Sequence, residues 1–222
     1  MDLKSDTVST ILLLYLWIGL GFSLFDIVLT IIWLNNGMVF EHHIYTTLAQ
    51  ISLIFNTTLY YLTIVIYLIW IYRVHEDLIA LQPSYDVTPK QALARILIPI
   101  YNLWGWANVY HTLSSFMKRV MENTRLGTML LLAVPLLYFV QYIGDAYGRY
   151  IDRKLELVTE REWMILDVLS ISSYVVYLTM AIIVVRFLRT YNDKCTEQAQ
   201  LQGEPSPSTF SIGTNLSDES TR

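Results

Sequence analysis

Charge is scarce in this 222-residue chain: Asp, Glu, Lys and Arg together make up 15% of it, against roughly a quarter in an ordinary globular protein. Basic residues do not dominate either. Fifteen Lys and Arg stand against nineteen Asp and Glu, a net charge of −4, which excludes a strongly basic nucleic-acid binder. Cysteine is nearly absent, Cys195 being the single one, so a disulfide scaffold and a cysteine-based zinc site are both excluded. There is no phosphate-cradling glycine loop, no H-E-x-x-H and no G-x-S-x-G, so no motif points to an enzyme. No cofactor is implied: no histidine stands centrally in an apolar run, where a pair could hold a haem.

Apolar residues are what the chain has, at 54% with a mean hydropathy of +0.42. That excess excludes disorder over most of the length. It falls into four runs, 11–34, 48–71, 127–147 and 163–188, each near the ~20 residues that cross a bilayer as helix. The expected fold is an all-α polytopic membrane protein. Thr159 and Glu162 have the spacing of a capping box opening the fourth run, and Asn123 or Thr124 can cap the third. Pro135, inside the third, is expected to kink a helix that lipid surroundings nevertheless tolerate.

A fifth segment, 89–116, is less simple. Thr88-Pro89-Lys90-Gln91 makes a good helix start, but the apolar stretch after it is broken by Arg95, Pro99, Asn102, Gly105 and Asn108. Charge decides its placement, because Lys and Arg stay in the cytoplasm. With four spans and a cytoplasmic N terminus, eleven basic residues fall inside and four outside; a fifth span would make it eight and seven. The expected topology is therefore four transmembrane helices plus one interfacial or re-entrant amphipathic segment, with both termini cytoplasmic. The first run lacks a small-residue cleavage site and is expected to stay as a helix. Residues 1–190 form the expected membrane domain. Residues 191–222, rich in Ser, Thr, Gln and acidic residues towards the end, form an expected disordered cytoplasmic tail.

Leu68-Ile69-Trp70-Ile71-Tyr72-Arg73, with Asp77-Leu78 after it, is followed by Thr88-Pro89 and then by Ile98-Pro99-Ile100-Tyr101-Asn102-Leu103-Trp104. This succession resembles the domain of unknown function 4328 family, small multi-pass membrane proteins. The residues carrying the resemblance are Trp70, Tyr72, Arg73, Pro89, Pro99, Asn102, Leu103 and Trp104, within about a quarter of the chain. Two departures stand out. The family usually has a Gly-Trp-rich stretch where this chain reads Gln91 to Arg95, and a proline soon after the tryptophan where it reads Gly105-Trp106-Ala107. The resemblance implies a four-helix membrane context and no activity. On physical grounds Pro99 frees a carbonyl that Asn102 can satisfy, and Tyr101, Trp104, Trp106 and Tyr110 suit a membrane interface.

Ionisable residues inside apolar runs are costly and point to function. Asp26 lies eight residues before Leu34, on a stripe with Gly19, Ser23 and Thr30. The third run offers Tyr138, Gln141, Tyr142, Asp145 and Arg149 on one face, and the fourth Asp167, Ser170, Tyr174 and Tyr177. In the expected topology Asp26, Asp145 and Asp167 share the outer half, where they can line one polar cavity with Arg149 as counter-charge. Interhelical hydrogen bonding is the other use of such residues. Glu41-His42-His43 on the short outer loop is a weak metal or pH-sensing motif, short of ligands from elsewhere.

The function expected from these residues is a non-enzymatic scaffold or regulatory module of the cell membrane. Its partners are the lipid bilayer and a protein reached through the cytoplasmic loop or tail. The alternative is a small proton- or cation-linked transporter or channel using the three carboxylates.

Overall fold

In the computed structural model, residues 2–36, 42–121, 124–154 and 159–201 are described, with backbone alone at 33, 36, 42–46, 49, 99–104, 160 and 201. Among them there is no strand, and the helices are α1 (Ser5–Asn36), α2 (His42–Leu81), α3 (Pro89–Leu97), α4 (Pro99–Val120), α5 (Arg125–Lys154) and α6 (Glu160–Leu201). Four of them, α1, α2, α5 and α6, are long and apolar enough to cross a membrane. Less than half of the most apolar stretch of each is buried. Ile54, Tyr61, Leu132, Phe139 and Val168 point outwards instead, an arrangement that suits a lipid surround in which helices associate by close packing and hydrogen bonds.

The helices follow one another around a ring: α1 packs on α2 and α6, α6 on α5, α5 on α4, α4 on α3, and α3 on α2. α2 and α5 are not among the packed pairs. On one side of the bundle, therefore, only the short α3 and the 22-residue α4 stand between them.

One end of the ring is tied by charge. Asp77, 1% exposed, accepts from the amides of Lys4 at 3.0 Å and Ser5 at 2.8 Å, so α2 caps the start of α1. Trp70 Nε1 donates to Ser9 Oγ at 2.9 Å. Glu76 takes Lys4 and Arg73, while Asp6 takes Arg189 of α6. α2 accordingly does not end at Ile71 as its apolar run does. Val74, His75, Asp77 and Leu78 are buried, Asp77 on the start of α1 and His75 on the Tyr85 ring, and the helix continues to Leu81. The motif of Trp70, Tyr72 and Arg73 is thus part of a helix junction. Tyr85 in the loop beyond packs edge-on to Phe116, and burial pushes its phenol above the ordinary value.

The expected interfacial segment is two helices. Thr88 and Gln91 complete a capping box at the start of α3, with Pro89 in its first turn. α3 stops because Pro99 has no amide to donate, and α4 begins at that proline. Gly105 then passes the Arg95 carbonyl so closely that a Cβ would overlap it. Further along, Ser114 Oγ donates to the Gly127 carbonyl at 2.6 Å and locks α4 to α5.

Trp106 and Tyr110 do not lie at a rim. Their exposures are 7% and 1%, because Trp106 Nε1 donates to Tyr67 Oη at 2.7 Å and the Tyr67 and Tyr110 hydroxyls sit 2.9 Å apart. The Trp106 ring also meets Tyr138 edge-on at 5.0 Å. Tyr138 is 13 residues into α5, about 20 Å of helix rise, so α4 reaches the middle of the bundle. The side chains of Tyr101, Asn102, Leu103 and Trp104 lie outside those described, as does the expected bond from Asn102.

Other boundaries shift outwards. α5 runs through Pro135 from Arg125 to Lys154. At α6 the Glu162 carboxylate takes the Thr159 amide at 2.9 Å, but the Thr159 hydroxyl also donates to that carboxylate and does not cap an amide. The start of the expected tail is helical, since α6 continues to Leu201 with Tyr191 buried. Residues 202–222 lie outside the described chain, and so do Glu41 and the side chains of His42 and His43.

Candidate functional site

A cavity of about 980 Å³ opens among α1, α2, α5 and α6, on the side of the ring away from the Asp77 junction. Asp26, Asp145, Asp167 and Gln141 all line it. The fifth expected residue is elsewhere: Arg149 is exposed, does not line the cavity and forms no ion pair with the three carboxylates. It is one turn further along α5 than Asp145, beyond the cavity's end. Tyr142, 71% exposed, also points away.

Asp26 is half-buried and held from α2. Ser52 Oγ donates to one of its carboxylate oxygens and Asn56 Nδ2 donates to the other, the latter at 2.6 Å. Across the cavity Thr30 donates to Asp167, and the Asp26 and Asp167 carboxylates are close enough to repel one another. Ser23 and Ser170 hydroxyls are 3.3 Å apart in the same seam. The small stripe of α1 makes this approach possible. Ser23 and Thr30 are buried, and Gly19 lies under the Tyr174 ring, leaving no room for a side chain.

Towards the middle of the bundle the cavity ends on aromatic groups. Gln141 Nε2 donates to Tyr177 Oη at 2.6 Å, and the Tyr177 ring packs edge-on to Tyr67 and Trp106. The Tyr67–Trp106–Tyr110 hydrogen bonds lie directly beneath. α4 therefore supplies the floor.

Two sets of residues in this site were missed in the sequence. One is the donor pair on Asp26, Ser52 and Asn56; the other is the pairing of Tyr67 with Trp106 that makes the floor beneath Tyr177. A signal existed: Ser52, Asn56, Tyr60, Thr63 and Tyr67 recur at helical spacing through an otherwise apolar run.

Fold and site together define an all-helical protein with four helices of membrane-crossing length around a carboxylate-lined cavity. Compared with protein-family models, curated proteins and solved structures, the chain matches none.

Proposed function

We propose that this chain is an integral, multi-pass protein of the cell membrane, with both termini cytoplasmic, that binds a proton or cation in the cavity as part of a transport step. The orientation rests on the eleven-to-four division of basic residues. With that orientation α3 and α4 form a re-entrant hairpin from the cytoplasmic side, and the cavity faces outwards. The same reading takes the chain as a member of the domain of unknown function 4328 family, on Trp70 to Arg73 and Pro99 to Trp104.

One observation carries the functional reading: carboxylates from α1 and α6, Asp26 and Asp167, line one cavity of about 980 Å³. Like charges held together in a poorly solvated wall repel, and a proton or cation between them removes that cost. The aromatic floor closes the cavity on its inner side, as a one-sided binding state requires. The reading is non-enzymatic, since Ser170 and Ser173 line the cavity with Asp167 but without a histidine to activate them. A scaffold would act through the loop and tail, and most of that tail lies outside the described residues.

The test is flux into liposomes carrying the purified full chain under an imposed pH gradient. Wild type is expected to exceed empty liposomes, and Asp26→Asn and Asp167→Asn to lose most of the excess. Wild-type flux equal to that of empty liposomes overturns the transport reading.

A further inference from the structure

The cavity is far larger than a bare ion needs. Even a water molecule takes only about 30 Å³ of liquid volume, whereas cavities of about 300–1,000 Å³ accommodate drug-sized organic ligands. Among the described residues no three His, Cys, Asp or Glu gather closely enough to hold a metal. Most of the wall is apolar or aromatic, with Leu53, Ile64, Val140 and Leu169 between the polar positions. Tyr60 and Tyr174 are among the aromatic residues of the lining, and aromatic rings are attractive neighbours for organic cations.

The way in is lateral. α2 and α5 do not form a packed pair, and α4 stands between them at Trp106, which meets Tyr67 of α2 and Tyr138 of α5. Cavity-lining residues of both helices are open to the surroundings: Leu53, Tyr60 and Tyr61 on α2 and Asp145 on α5. In the proposed orientation this gap faces the outer leaflet.

We propose that the ligand of this cavity is a membrane-partitioned amine, a cationic head on an apolar body, entering sideways from the outer leaflet between α2 and α5. The ammonium donates to Asp26 and Asp167, and the apolar body lies along the α2 and α5 walls in the gap. Charge complementarity selects the head, and the apolar mouth selects the tail. This identification rests on the cation-binding reading above and names its ligand class.

The test is equilibrium binding of dodecylamine, dodecanol and ethylamine to the full chain in phosphatidylcholine nanodiscs. Dodecylamine is expected to bind, with dodecanol and ethylamine each weaker by about tenfold or more. Asp26→Asn and Asp167→Asn are each expected to weaken dodecylamine about ten- to a hundredfold, the range for losing a hydrogen bond to a charged group. Gly144 lines the cavity and a Cβ added there meets nothing within 4 Å, so Gly144→Trp is the substitution that narrows the mouth from the α5 side, and Leu53→Trp does so from the α2 side. Both are expected to exclude dodecylamine. Dodecanol binding as tightly as the amine overturns recognition by the carboxylates, and ethylamine binding as tightly overturns the need for an apolar body. Dodecylamine binding unchanged in both mouth variants overturns lateral entry. Flux without amine binding defeats this inference alone; amine binding without flux defeats the transport reading alone.

Discussion

Replacing Asp77 with Ala removes the acceptors that fix where α1 begins. The Asp77 carboxylate is 1% exposed and takes two amides, Lys4 at 3.0 Å and Ser5 at 2.8 Å. It acts as an N-cap supplied by another helix, and its charge complements the positive end of the α1 dipole. Losing an N-cap costs about 1 kcal/mol, and each buried hydrogen bond to a charged group is worth about 1.5–3 kcal/mol. With water only partly able to replace them, the loss comes to roughly 2–4 kcal/mol. In a chain of this length that is a fall in Tm of roughly 5–15 °C. Asp77→Asn keeps one oxygen in place without the charge and is expected to recover about half of the loss. Thermal unfolding in detergent, followed by near-ultraviolet circular dichroism, measures all three proteins. An alanine variant melting within about a degree of wild type would refute the cross-helix cap.

Gly105→Ala is expected to destabilise through steric overlap, because the added methyl meets the Arg95 backbone carbonyl and not a movable side chain; a protease-susceptibility assay on the α3–α4 region would show faster cleavage, and unchanged cleavage would contradict the close crossing. Trp106→Phe keeps most of the ring packing but deletes the 2.7 Å bond to Tyr67; about 1 kcal/mol of stability is expected to go, measured by chemical unfolding, with a loss near zero arguing against the floor network. The Asp6–Arg189 pair has both side chains about half exposed, so Arg189→Ala is expected to change stability by less than about 1 kcal/mol; a larger loss would mean that the α1–α6 contact depends on it.

The fold was legible because its largest signal is composition. Four apolar runs gave four long helices, and the stripe of Gly19, Ser23, Asp26 and Thr30 gave the face of α1 that meets α2 and α6. The carboxylates were legible for a related reason: acids are rare in such runs, so each marks a position, and Asp26, Asp145 and Asp167 do line one cavity. Helix ends were not legible from hydropathy. Beyond Ile71 the chain turns polar in sequence yet stays buried, because Asp77 faces α1 and His75 packs on Tyr85. Arg149 was misassigned because helical spacing shows which face a residue shares but not how far the cavity extends along it. Trp106 and Tyr110 were read as rim anchors from their chemistry, but a hydroxyl partner, Tyr67, offers the same polar end a place in the interior. Such pairings join residues about forty positions apart, and no local pattern announces them.

The central claim is a cavity that reaches Asp26 from outside. It is tested most directly by a single thiol in its wall. Cys195 is free and half-buried, so the background is Cys195→Ala, with Ser170→Cys placed beside Ser23 in the cavity seam. A membrane-impermeant cationic thiosulfonate is applied to sealed vesicles of known orientation. Ser170→Cys is expected to be labelled from the outer side, and not from the cytoplasmic side behind the Tyr67–Trp106 floor. A thiol that reacts only after unfolding, or only from the cytoplasmic side, would contradict it.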